Sequence, residues 1–234
     1  ASLVGSEMCI RDRLNVATAS GSYASDESAS EKAEKAVRAK LDAKAKVDKN
    51  LPISLLAWTT TPWTLPSNSA IAVNEGLRYS IVLVDGEYVI LAEALLDSAL
   101  RDDKNKPLDY EVVANIRGED LVGLSYEPLF AVETELDHEK AFKVWHASFV
   151  HDDDGTGIAH ESPAYGEEDY DLSKEMGFPW VMSTDESGVF TMGDWEGEDV
   201  WEVNKQIAKD LKERGIVMRI HYITHAYPHC HRCN

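Results

Sequence analysis

Cysteine is scarce: the chain has Cys9, Cys230 and Cys233 and no others. Three thiols cannot build the disulfide framework that props up small secreted domains. The spacing of the last two points instead to a reducing compartment and a metal. Positive charge is also in short supply, with 23 Lys and Arg against 42 Asp and Glu and a net charge of -19. Phosphate contacts need cations, so this balance argues against a free-standing nucleic-acid binder. Any RNA handled here must draw most of its binding energy from elsewhere in a larger protein. No apolar run approaches the roughly eighteen residues of a membrane span. No charged-then-apolar leader is read either, so a cytoplasmic setting is expected. Internal repeats and glycine-rich phosphate loops are missing. So is any Ser-His-Asp or Cys-His pattern for a covalent intermediate. What is present is 44% hydrophobic residues, enough for one large domain or two small ones.

One stretch stands out, Trp58-Thr59-Thr60-Thr61-Pro62-Trp63-Thr64-Leu65-Pro66-Ser67-Asn68. Its prolines fix their own φ and push Thr61 and Leu65 out of the helical region. The segment is therefore expected to be extended and then turned, not helical. Hydroxyls on a rigid extended backbone can hold a polar substrate. Composition alone favours the plainer reading, an ordinary strand running into a turn.

Around this run the pattern predicts many short strands. They are placed at Pro52 to Trp58, Ser69 to Val73, Tyr79 to Val84, Tyr110 to Ile116, Pro128 to Val132 and Lys143 to Val150. Asp85-Gly86 marks a hairpin, and Glu93 to Leu100 reads as a short helix. Many short strands with Gly turns imply a mixed α/β, β-rich domain, a barrel or a sandwich, with peripheral helices. Asp199 and Glu202 form a capping-box pattern before the apolar face Val200, Val203, Ile207 and Leu211, and Gly215 stops that helix.

A second block runs Asp154-Gly155-Thr156-Gly157-Ile158-Ala159-His160-Glu161-Ser162-Pro163-Ala164-Tyr165-Gly166-Glu167-Glu168-Asp169-Tyr170. Its glycines are expected to let the backbone pass close to a ligand. Ile158 to His160 reads as a strand, and a helix from Glu167 to Met176 ends at Gly177. Asp169 then lies in a first helical turn, where the helix dipole favours an ionised carboxylate. Such a group is a good partner for an ammonium ion. The acids Asp152 to Asp154 lack EF-hand spacing and read as a solvated turn. At the far end, Cys230 and Cys233 make half of a tetrahedral zinc site, without a partner pair.

Four regions follow. Residues 1–13 resemble translated sequencing-adapter sequence and are placed outside the fold. Residues 14–50 read as a loop plus an amphipathic helix, a possible insertion. Residues 51–222 form the main domain, and 223–234 a return segment with a half zinc-knuckle.

The order W-T-T-T-P-W-T-L-P-S-N closely resembles the threonine-rich signature of the editing domain, connective peptide 1, of isoleucyl-tRNA synthetases. Valyl and leucyl enzymes share it more loosely. The second block resembles the same family's G-T-G-(I/V)-x-H-x-(A/S)-P-A-x-G-x-x-D signature, and Y-P-H-C-x-R-C its closing motif. The two nucleotide-binding signatures of the parent class are missing, so the ATP-dependent core is not in this chain. The resemblance implies an aminoacyl-tRNA deacylase that hydrolyses Val-tRNA(Ile). It assigns Asp169 to the α-ammonium, and Thr59, Thr60 and Thr61 to the substrate and terminal adenosine. Trp58, Thr61 and His160 become candidates for the pocket wall, and Thr64 and Asn68 positioning residues. It implies no cofactor for editing, with zinc a property of the parent enzyme whose remaining ligands are missing here. Partners would be the tRNA(Ile) 3′ end carrying valine and the rest of the synthetase, with no membrane and no DNA. Two alternatives stay open: a catalytically silent brace, and the editing domain of a valyl or leucyl enzyme.

Overall fold

The computed structural model describes residues 2–13, 48, 51–130 and 139–226. Its centre is β2, Ile53–Thr59, an almost fully buried strand. One edge of β2 pairs antiparallel with β1, Ser2–Arg13, with Met8 opposite Thr59 and Cys9 opposite Trp58. The other edge is divided. Its first half, Ile53 to Leu55, pairs parallel with β5, Glu87–Ala92, while Trp58 pairs with Ala159 of β8, Ala159–Glu161. Two arms therefore leave one strand. The first continues from β5 through β4, Arg78–Val84, to β6, Glu111–Arg117. The second continues from β8 through β3, Ala70–Val73, to β7, Lys143–His146. β9, Val217–Ala226, pairs with the free edge of β1 and completes a curled, half-barrel-like sheet of nine strands among the described residues.

Strand alternation sends Ile53, Leu55 and Ala57 into one core, joined by Ile71, Ile81 and Ile90. Leu56 and Trp58 go to the opposite face with Cys9, Val82 and Leu91. Three helices cover the sheet. α1, Leu96–Ala99, follows a 3-10 turn at Glu93–Leu95. α2, Glu167–Met176, ends at Gly177, which takes the left-handed conformation. α3, Val200–Glu213, buries Val200, Val203, Ile207 and Leu211. Its cap is the Asp199 carboxylate, which accepts from the Trp201 N–H at 2.9 Å.

Several expectations need correction. Residues 2–13 lie in the sheet: Met8 and Ile10 are fully buried, and Arg11 pairs with Glu87 at 2.6 Å. The unclaimed edge of β2 and the apolar side chains of that segment account for the pairing. The Thr-rich run leaves β2 at Thr59 but then enters a 3-10 turn, Pro62–Ser67, which includes Leu65. Pro62 sits at its start, where the missing N–H costs nothing. Pro128 to Phe130 are not strand. Lys143 to Val150 stays in the sheet only to His146, and β9 runs across the expected boundary at residue 222. The predicted helix in 14–50 and the Cys230–Cys233 pair lie outside the described residues. No helix among the described residues is long and apolar enough to cross a membrane.

Candidate functional site

The two sequence blocks meet at Ser162. Its backbone N–H donates to Asp169 Oδ2 at 2.7 Å, and its hydroxyl donates to the Thr64 carbonyl at 3.0 Å. One residue thus touches the α2 carboxylate and the Thr-rich loop at once. The loop is tied from below as well. Ser69 N–H donates to the Glu161 carbonyl at 3.0 Å, and Asn68 Nδ2 donates to the same oxygen at 3.2 Å.

Asp169 is brought there by the shape of the α2 start. Its carboxyl group folds back over Gly166, where an added Cβ would stand 2.6 Å from Asp169 Cγ. A side chain at position 166 would push that carboxyl group aside. Burial pushes the Asp169 carboxyl above its ordinary range; the Ser162 N–H and its own N–H oppose this, and Glu168 adds to the rise. A cation arriving at this half-buried group relieves the cost of burying its charge.

The hydroxyls divide into two kinds. Thr60 and Thr61 are exposed, whereas Thr59 is buried and its hydroxyl accepts from the Thr61 N–H at 3.1 Å. Thr64 donates to the Thr61 carbonyl at 2.9 Å, closing the turn. The register Trp58–Ala159 places Thr59 beside His160, on the same face of the sheet. Thr64 and Asp169 thus meet at Ser162, with Thr61 hydrogen-bonded to Thr64 beside them and Thr60 exposed next to it, whereas Thr59 and His160 point to the face of the sheet opposite the one α2 covers.

Two further candidates fall elsewhere. Period-two alternation turns Trp58 to the opposite face from Thr59. There it packs beside Cys9 and over Gly155, where an added Cβ would lie 2.9 Å from the indole. Gly155 thus gives room to a tryptophan of the protein itself, not to a ligand. Trp58, Gly155, Asp153, Asp154 and Arg219 line a separate cavity of about 150 Å³. Asn68 is 3% exposed, and its amide is spent on Ala70, Glu161 and the Tyr126 hydroxyl. It shapes the loop from inside and has no face left for a substrate.

Other residues anchor the loop without having stood out in the sequence. Asn204 of α3 accepts from the Trp63 N–H at 2.9 Å. Ser67 donates to Ser183 at 2.7 Å. Tyr165 packs edge-on against Trp63 and accepts from the Ser183 and Thr184 N–H groups. Ser162 itself was visible as the (A/S) position of the second block, but only coordinates reveal what it joins. Among the described residues no group of His, Cys, Asp and Glu is arranged to hold a metal.

No family model matches the chain. The isoleucine–tRNA ligase of Clostridium tetani is 42% identical over 182 residues, which cover 77% of this chain and 17% of that protein. The chain thus spans about a sixth of the length of the curated relatives it matches. Among solved structures, the GlLeuRS-CP1 domain superposes with a TM-score of 0.67 at 16% identity, covering 95% of this chain and all of that one. The Plasmodium falciparum (P. falciparum) cytosolic leucyl-tRNA synthetase editing domain gives 0.64 at 10% identity, over 93% and 99%. Over about three-quarters of its length the chain is similar in sequence to part of the isoleucine–tRNA ligases, and its fold is that of the synthetase editing domains it superposes on.

Proposed function

We propose that this domain removes valine from mischarged tRNA(Ile) by hydrolysing the aminoacyl ester. The observation that carries the reading is the double contact of Ser162, which brings the Asp169 carboxylate and the Thr-rich loop to one place. The physical need is clear. Valine is one methylene smaller than isoleucine, a difference worth only about 1–3 kcal/mol of discrimination in a synthetic pocket. A second site that admits the smaller product removes the error.

In this reading Asp169 accepts the α-ammonium and fixes the ester. The exposed hydroxyls of Thr60 and Thr61, with nearby backbone groups, hold the carbonyl and the terminal ribose. Water attacks the ester carbon, the bond to the ribose oxygen breaks, and that oxygen takes up the proton. The products are valine and free tRNA(Ile). Orientation of the water supplies the rate, helped by the neighbouring ribose hydroxyl. The reaction in this reading needs no covalent nucleophile. The tRNA and the remainder of the synthetase are the partners, in the cytoplasm. The net charge of -19 makes this division of labour necessary, since the body of the tRNA must be held by other domains.

The test is deacylation of Val-tRNA(Ile) by the full-length synthetase carrying Asp169→Ala. A loss of about a hundredfold or more is expected, because the ester is no longer held in register. Deacylation at the parental rate removes Asp169 from the reaction.

A further inference from the structure

Glu161 is the most unusual ionisable group among the described residues. It is 1% exposed, on β8, and among the described residues its carboxyl oxygens find no well-formed hydrogen bond, only the Asp169 side chain beside them. An acid buried in this way is costly unless it is neutral or meets a cation. Its neighbours make ionisation harder still. Strand alternation puts Glu161 on the face covered by α2, and the charges that act on it there are Asp169 and, more weakly, Glu168. The flanking strand β3 brings Ala70 opposite it, which carries no charge. His160, next along β8, points to the other face.

The two acids of this face differ in access. Asp169 keeps an outer side and a hydrogen bond from Ser162. Glu161 lies wholly beneath. Resting on the editing reading above, we propose that Glu161 is a positioning residue for Asp169: the two form a two-acid pair with a single charge, Glu161 holding the proton and Asp169 the charge that meets the α-ammonium. Burial supports the assignment, since it pushes Glu161 well above its ordinary value and further than the better-solvated Asp169. A neutral Glu161 has a proton to offer its neighbour, and that favours an ionised Asp169. A second negative charge at position 161 would instead push a proton back onto Asp169.

The experiment compares Glu161→Gln and Glu161→Leu in the full-length synthetase. Glutamine keeps a neutral donor; leucine keeps the volume without one. For Glu161→Leu the KM for Val-tRNA(Ile) should rise about tenfold with kcat within about twofold, and the acid limb of the pH profile should move to higher pH. Glu161→Gln should recover most of the KM and return the limb toward its original position. Infrared difference spectra of parent minus Glu161→Gln, recorded at pH 7, should show the carbonyl stretch of a protonated acid. Equal KM values and equal acid limbs for the two variants would overturn the proposal, as would a featureless difference spectrum. The infrared readout does not depend on deacylation. If Asp169→Ala still edits while the protonated band is present, the functional reading fails and the pair survives.

Discussion

A single residue, Ser162, spends both of its donors on joining two segments: its N–H on Asp169, its hydroxyl on the Thr64 carbonyl. Ser162→Ala removes only the second contact. Stability should fall by about 1 kcal/mol, the net worth of one such hydrogen bond. Editing should fall further than stability, because the loop can then drift from Asp169; deacylation kinetics and thermal unfolding of the same variant check the two effects. Thr61 faces solvent at the mouth of this junction. Thr61→Arg fills that mouth with a long cation, and deacylation should drop about tenfold or more with no loss of folding. Normal turnover by that variant would place the substrate elsewhere. That Asp169 falls in a first helical turn was legible from residue order alone, because the signal is local. Trp58 was not. Whether a side chain on a strand faces the site or the opposite core depends on a one-residue alternation that the motif does not show. Gly155 was misread for the same reason, since its close neighbour is that indole and not a ligand.

At the level of elements, α2 and α3 matched their sequence signals closely. Both carry end signals that act through neighbouring residues: a left-handed Gly177 after one, an Asp199 cap before the other. Asp199→Ala should cost about 1 kcal/mol. Leu211→Ala, at a fully buried position in the cluster around Met8 and Phe190, should cost about 2–5 kcal/mol. Chemical denaturation measures both, and a larger loss for Asp199→Ala would show that the α3 end matters more than its packing. The Asp85-Gly86 turn was equally legible, both residues taking positive φ between β4 and β5. The 3-10 turn at Pro62–Ser67 was not. Its geometry is held from outside by Asn204, Ser183 and Glu161, residues distant in sequence. The sheet order was beyond reach too, since it rests on pairings such as Trp58 with Ala159.

For the whole molecule, buried acids set how stability follows pH. Glu161 has its folded value above the ordinary 4.5. The folded chain therefore holds this proton where the unfolded chain releases it. The stabilisation is complete below about pH 4.5 and is lost as pH rises through the folded value. Glu161→Gln should flatten this slope and raise the melting temperature above pH 7, with little gain near pH 4; a parallel downward shift at every pH would refute it. The surplus of 42 acids over 23 bases adds a general repulsion, so added salt should raise the melting temperature of the parent chain. The divided edge of β2 bears on how the protein is made. Trp58 leaves the ribosome about a hundred residues ahead of Ala159, which at roughly 5–20 residues per second is a delay of about 5–20 s. Through that interval the hydroxyl-bearing end of the strand has an open backbone edge, a template for mispairing with other nascent chains. Codon choice or chaperone contact between these two points would govern how much of the newborn chain closes that edge correctly.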